Sequence, residues 1–156
     1  MPISEKLQRF LAESGVDYEL IPHERTMTSA HTAERSRIPG DRLAKGVVLK
    51  DEEGYLLAVI PASHQVELDA VVEQLFRPLD IAPTRDVEEL FPDCDRGAVP
   101  PIGRAYGLEV LVDNSLVAQP DIYFEGGDHA SLVHVDRSGF ERLMQGARHG
   151  RFSRHI

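Results

Sequence analysis

Three short stretches of this chain have the residue types and spacing to act on an ester or a phosphate. The first is Lys45-Gly46-Val47-Val48-Leu49. Strand periodicity puts Lys45 on the same side as Val47 and Leu49, so a charged residue is aligned with an apolar face. Such a lysine either lays its stem on the core while its ammonium snorkels to water, or it is a cation fixed at a cleft mouth, able to hold a phosphate or a developing oxyanion. Gly46 beside it leaves room for a backbone or ligand to come close.

The second stretch is Asp93-Cys94-Asp95-Arg96-Gly97-Ala98-Val99-Pro100-Pro101-Ile102-Gly103. Its prolines fix φ and remove donors, and its glycines permit unusual backbone angles, so it reads as a stiff loop of defined shape. A loop of this kind serves recognition or simply joins a helix to the strand at Leu108. The third is Glu125-Gly126-Gly127-Asp128-His129, directly after an apolar run. Paired glycines at a strand end can aim backbone N–H groups at an anion or an ester carbonyl, and they also make an ordinary hairpin turn. His129 is then a general base or an exposed turn residue. Cys94 is a poor nucleophile, because Asp93 and Asp95 flank it and raise its pKa.

The familiar alternatives are missing. The sequence has no GxSxG elbow, Walker-A loop, GxGxxG fingerprint, HExxH or CxxC pair. Its seven histidines show no zinc-ligand spacing, so no metal is expected. The net charge of −9 argues against broad nucleic-acid binding, which depends on many Lys and Arg contacts to phosphate, so any RNA contact must be local. Basic residues do gather at the end of the chain, at Arg142, Arg148, His149, Arg151, Arg154 and His155, as a frayed tail or as an RNA-facing patch. The single cysteine and an opening MPISEKLQRF without a signal-like apolar run give the expectation of a reducing, cytoplasmic setting. The apolar runs are too short to span a bilayer, so no membrane is expected.

The elements that must position these stretches are legible in outline. At 156 residues, 42% hydrophobic and 28% charged, the chain fits one domain over residues 1–156. Ser4 caps a first amphipathic helix that Gly15 closes. A strand is expected over Asp17–Ile21, and a second helix from Thr28 or Ser29 toward Arg37. Ala44–Lys50 and Tyr55–Pro61 form a hairpin across Asp51-Glu52-Glu53-Gly54. The pattern then predicts a helix over Val66–Leu75, a strand over Leu79–Thr84, a helix over Val87–Phe91, and strands over Leu108–Asp113, Ile122–Glu125 and Ser131–Asp136. Ser138 and Glu141 read as the capping box of a closing helix with Phe140, Leu143 and Met144 on its apolar face. The hairpin rules out a purely parallel sheet, so the fold class is α/β or α+β with a mixed sheet.

Taken together and in order, three segments resemble a known family. Lys45-Gly46-Val47-Val48-Leu49-Lys50 followed by Tyr55–Pro61 looks like the signature lysine and hairpin of the YbaK-like aminoacyl-tRNA deacylases, which are similar to the editing domain inserted in bacterial prolyl-tRNA synthetases. Gly97-Ala98-Val99-Pro100-Pro101 fits that family's GxxxP loop, and Ile122-Tyr123-Phe124-Glu125-Gly126-Gly127 resembles its strand ending in a glycine-rich turn. The resemblance covers nearly the whole chain. It implies a mixed, barrel-like β-sheet surrounded by helices, with a pocket where the three segments converge.

The same resemblance implies hydrolysis of the ester of a mischarged tRNA, with Lys45, Gly97 and Pro101 as catalytic residues. Substrate-binding residues would be Thr28, Gly46, Ala98, Val99, Pro100, Gly126, Gly127 and His129. It implies no metal and no cofactor, help from the 2′-hydroxyl of the tRNA, and as partners the 3′ aminoacyl-adenosine end of the tRNA and, transiently, an aminoacyl-tRNA synthetase, but no DNA. Two positions depart from the family pattern: Gly46 stands where prolyl-type domains often carry Asn, and Glu125 where other members carry Ser. A module of the same fold that binds tRNA or a ligand without catalysis is the alternative. A small-molecule esterase acting through Cys94 or His129 is a third reading.

Overall fold

The computed structural model describes residues 3–22 and 38–156. Thr28, His23, His31 and the expected second helix lie outside the described residues.

The first helix forms where its caps predict. In α1 (Glu5–Ser14) the Ser4 Oγ accepts from the Leu7 N–H, Gly15 closes the end at φ 65°, and Leu7 and Leu11 are the buried face. β1 follows at Glu19–Pro22, two residues later than the sequence suggests at its start. The hairpin of β2 (Leu43–Asp51) and β3 (Gly54–Pro61) pairs Asp51 with Gly54. Asp51 Oδ1 accepts from the N–H groups of Glu53 at 2.9 Å and Gly54 at 3.1 Å, so the aspartate holds the turn as much as the glycine does.

A short β4 (His64–Val66) then takes Val66 out of the expected helix, and α2 starts later, at Leu68–Leu75. The strand expected near 79–84 shrinks to β5 (Asp80–Ile81), because Pro83 opens α3 (Thr84–Leu90). β6 (Glu109–Asp113) is followed by a four-residue α4 (Asn114–Val117), which the sequence reading does not contain. β7 (Asp121–Glu125) and β8 (Ser131–Asp136) fall as expected. The closing helix α5 (Arg137–Leu143) is capped by Asp136, whose Oδ1 accepts from Gly139 N at 2.7 Å, and not by Ser138, which lies inside it.

The main sheet runs in the order β1-β8-β7-β2-β3-β6, with a seventh strand, β9 (Arg148–Gly150), at its far edge and β5 paired to β2. The β1–β8, β8–β7 and β2–β3 pairs are antiparallel, and β7–β2, β3–β6 and β6–β9 are parallel, so the mixed sheet is as expected. The barrel-like expectation needs correction. Among the described residues β1 and β9 stand at opposite ends of the order and the sheet stays open. Closure is not what buries it: α1 and α5 contribute Leu7, Leu11, Phe140 and Leu143 to the core on one face, and Val71 of α2 and Phe152 contribute to the core on the other. β3 is therefore apolar without alternation, with Leu57 and Val59 in one core and Leu56, Ala58 and Ile60 in the second.

The end of the chain is also not a frayed tail. β9 pairs with β6, β10 (Ser153–His155) pairs antiparallel with β4, and Phe152 between them is fully buried. Its N–H donates to Asp113 Oδ1 at 3.1 Å. The arginines of this segment stand on anchored strands.

Candidate functional site

Lys45 lies near the start of β2, opposite Ile60 of β3. Its face carries Val47 and Leu49, as strand period requires, and the lysine is half-buried. Burial lowers the pKa of its ammonium from the ordinary 10.5. Among the described residues no carboxylate comes within ion-pair distance of it, whereas Lys50, further along β2 and on its opposite face, is committed to Asp86 at 2.6 Å. The room that Gly46 leaves is filled from the other face, where a Cβ would stand 2.8 Å from Leu57 Cδ1.

The position of Lys45 relative to the glycine turn follows from strand register. β2 and β7 run parallel, with Leu43 opposite Tyr123 and Ala44 opposite Phe124. One further step brings Lys45 level with Glu125, the last residue of β7 before Gly126. The Arg42 guanidinium, bonded to Asp121 Oδ1 at 3.2 Å, fixes this register at the strand start. Asp121 also holds His134 at 2.8 Å, and Glu19 of β1 holds the other ring nitrogen at 3.0 Å. Burial opposes a charge on this ring, but the two carboxylates outweigh it and raise the His134 pKa above 6.5.

The turn and the loop are lashed together. Asp95 N–H donates to Gly127 O at 2.6 Å, and the Nε2 of His129 bonds the Arg96 carbonyl. Gly127 has φ 115°, and a Cβ there would meet Cys94 Sγ at 3.2 Å, while a Cβ on Gly126 would stand 2.3 Å from Ile3 Cγ2. These glycines let the turn sit directly on the N-terminal segment and the loop. The Gly126 N–H donates to Ser131 O at 3.3 Å, closing the hairpin and leaving that donor unavailable for an anion nest.

His129 departs from the reading of an exposed turn residue: it is 1% exposed. Its backbone adopts φ 57°, and its Nδ1 faces Glu125 Oε1 at 3.9 Å, with Glu125 itself 2% exposed. Glu125 therefore joins the site as a buried carboxylate. Within the loop, Gly97 is exposed at φ 80°, Ala98, Pro100 and Pro101 are buried, and Val99 packs against the main core.

A further cluster anchors the loop at its start. Asp93 accepts from Ser4 Oγ at 2.5 Å and from Tyr106 OH at 2.9 Å, so the residue that caps α1 also fixes the loop. Residues 89 positions apart meet here, and no local sequence pattern announces such a contact. Burial pushes the Cys94 thiol up to about 12, against which the hydrogen bond from Tyr106 works only in part. A thiol so protonated is no nucleophile near neutral pH, in line with the sequence reading. Among the described residues, no helix is long and apolar enough to cross a membrane.

Comparison with known proteins places this geometry in context. The family model for the aminoacyl-tRNA editing domain matches residues 23–143. No curated protein matches the chain in sequence. Among solved structures, the hypothetical protein APE2540 superposes with a TM-score of 0.84 at 23% identity, over 96% of this chain and 100% of its own. A protein described as a candidate trans-editing enzyme for prolyl tRNA synthetase gives a TM-score of 0.84 at 22% identity, over 99% and 98%. A candidate signal transduction protein from Marinobacter aquaeolei VT8 matches 95% of this chain with 30% of its own length, at a TM-score of 0.78 and 18% identity. These structural likenesses carry the fold, and the family model carries the family: the chain belongs to the aminoacyl-tRNA editing domain family.

Proposed function

We propose that this protein is a trans-acting aminoacyl-tRNA deacylase, which adds water across the ester between a wrong amino acid and the 3′ end of its tRNA and releases the amino acid and the free tRNA. The observation that carries this reading is Lys45: a desolvated cation on an editing-family scaffold, with no described carboxylate on it, level with the end of β7 where the glycine turn begins. A lysine that served only the fold would be expected to have its charge paired or in water, as Lys50 does. In this account the ammonium holds the phosphate of the terminal adenosine or the oxygen on which charge develops, in a site where water competes poorly.

The Gly97–Pro101 backbone then positions the aminoacyl carbonyl and the attacking water, with Gly97 and Pro101 in the catalytic set. Thr28, Gly46, Ala98, Val99, Pro100, Gly126 and Gly127 belong to the substrate-facing region, and the buried His129 ring supports it from behind. The tRNA's own 2′-hydroxyl assists, so the protein supplies chiefly orientation and electrostatics. The work is done in the cytoplasm, with passing contact to an aminoacyl-tRNA synthetase that has released the mischarged product. Single-turnover hydrolysis of a mischarged tRNA, with enzyme in excess, tests the proposal. Turnover of simple esters that thiol reagents abolish would point to an esterase acting through Cys94, which the raised pKa of that thiol speaks against.

The tRNA body needs a local basic surface on a chain of charge −9. Arg148 and Arg154 lie on β9 and β10, and Arg151 lies in the link between them. Replacing all three with alanine is expected to weaken tRNA binding and to lower the slope of log Kd against log salt by about 2–3, the count of phosphate contacts removed. An unchanged slope over 50–200 mM salt, a range set by the usual sensitivity of such contacts, would remove these arginines from the RNA interface.

A further inference from the structure

We infer that His129 is a positioning residue that clamps the Gly97–Pro101 loop to the Gly126–Gly127 turn, and that it neither touches substrate nor acts as a general base. The inference rests on the reading of that loop as the segment facing the ester. A carbonyl oxygen can only accept, so the bond to Arg96 O requires the proton on Nε2. The other ring nitrogen is buried and looks at Glu125 Oε1 from 3.9 Å, without a hydrogen bond of its own. Nε2 already carries its proton, and the lone pair on Nδ1 is buried out of reach of water, although a general base needs a nitrogen within reach of the reacting group.

The backbone supports the same role. His129 occupies the left-handed region at φ 57°, where a side chain other than Gly or Asn carries a conformational cost, and this conformation accompanies a ring turned inward against the loop. Two ties join loop and turn among the described residues: Asp95 N–H to Gly127 O and the His129 ring to Arg96 O. They bracket the residue pair just before Gly97. The loop's next bond, Ala98 N–H to Asp95 O at 3.1 Å, is internal and cannot anchor it to the turn. Releasing the ring thus frees the loop at the point where its orienting segment begins.

Two substitutions separate a clamp from a base. His129→Asn keeps tolerance of the left-handed backbone but is too short to reach Arg96 O. His129→Gln places an amide N–H close to where Nε2 stands. Two readouts are needed: hydrogen exchange at the Asp95 and Ala98 amides, and single-turnover deacylation with tRNA affinity measured separately. For His129→Asn, we expect exchange at these amides to rise about tenfold or more and the rate at saturating tRNA to fall about tenfold, with Kd for tRNA unchanged. His129→Gln should restore both to within about threefold and keep the wild-type pH–rate profile.

A Gln variant as slow as the Asn variant, with the acidic limb of the profile gone, would make His129 the base and overturn the inference. Unchanged exchange in a folded Asn variant would overturn it as well. If the Asn variant does not fold, the Gln variant decides: wild-type protection at Asp95 supports the clamp and lost protection refutes it. Exchange requires no activity, so a wild-type protein that hydrolyses no mischarged tRNA would remove the proposed function while the clamp is still judged on protection alone.

Discussion

Replacing Lys45 with alanine is expected to slow single-turnover deacylation by about a hundredfold or more while leaving the protein folded, the scale on which a preorganised charge acts in a water-poor site. The expectation follows from the half-buried, desolvated ammonium and its register beside the end of β7. If the side chain merely covered apolar surface, its loss would cost on the order of 1 kcal/mol of stability and leave the rate nearly intact. Lys45→Arg keeps the charge but changes donor geometry, so it should recover only part of the rate.

The pH dependence has a defined sign. Burial lowers the Lys45 pKa from 10.5, so the ammonium required for activity is lost as pH rises through that lowered value. The enzymatic rate, taken relative to spontaneous ester hydrolysis, should therefore fall on the alkaline side before pH 10.5 in the wild type, and Lys45→Arg should shift that limb upward. Stability runs the other way. Below both pKa values the folded chain bears the full cost of burying the charge, and that cost is relieved as pH rises through the folded value toward 10.5.

The second large effect concerns the end of the chain. Phe152→Ala is expected to destabilise the fold by about 3–5 kcal/mol, as truncation of a fully buried aromatic does. Phe152 shares a core with Ile60, Val71 and Leu111, and its N–H is held by Asp113. Removing the ring empties the space between α2 and the sheet and loosens β9 and β10 together. Chemical denaturation measures the loss, and a change within about 0.5 kcal/mol, typical of exposed positions, would mean that the segment is a tail after all.

Much of the fold was legible because the local signals agreed with one another. Ser4 and Gly15 marked α1, Asp51 to Gly54 marked the hairpin, and the run through Leu56 to Ile60 marked a strand buried on both faces. The misses have physical causes. Asp136 outcompeted Ser138 as the α5 cap because both are good caps and only the tertiary path of β8 decides between them. β4, β9 and β10 are three residues each, and pairing rather than propensity makes them strands. In the C-terminal segment, the arginines and histidines masked the one residue, Phe152, that anchors it.

The candidate site was legible as segments rather than as contacts. The glycine spacing pointed to the 97–101 loop and the 126–127 turn, and the structure ties these two together through Asp95 and His129. The burial of Glu125 and His129 was not readable, since a polar pair after Gly-Gly looks like any solvated turn. The unannounced Ser4–Asp93–Tyr106 cluster is long-range in sequence, and only the folded sheet brings it together.

The measurement that bears most directly on the central claim is single-turnover hydrolysis of a panel of tRNAs, each carrying either its cognate amino acid or a small wrong one, by the wild-type protein. The account predicts that at least one mischarged tRNA is deacylated about a hundredfold or more above its spontaneous rate, that its correctly charged counterpart is spared, and that Lys45→Ala abolishes the difference. A folded protein that binds tRNA yet leaves every ester in the panel at its spontaneous rate would contradict the account and leave a binding module of the editing fold.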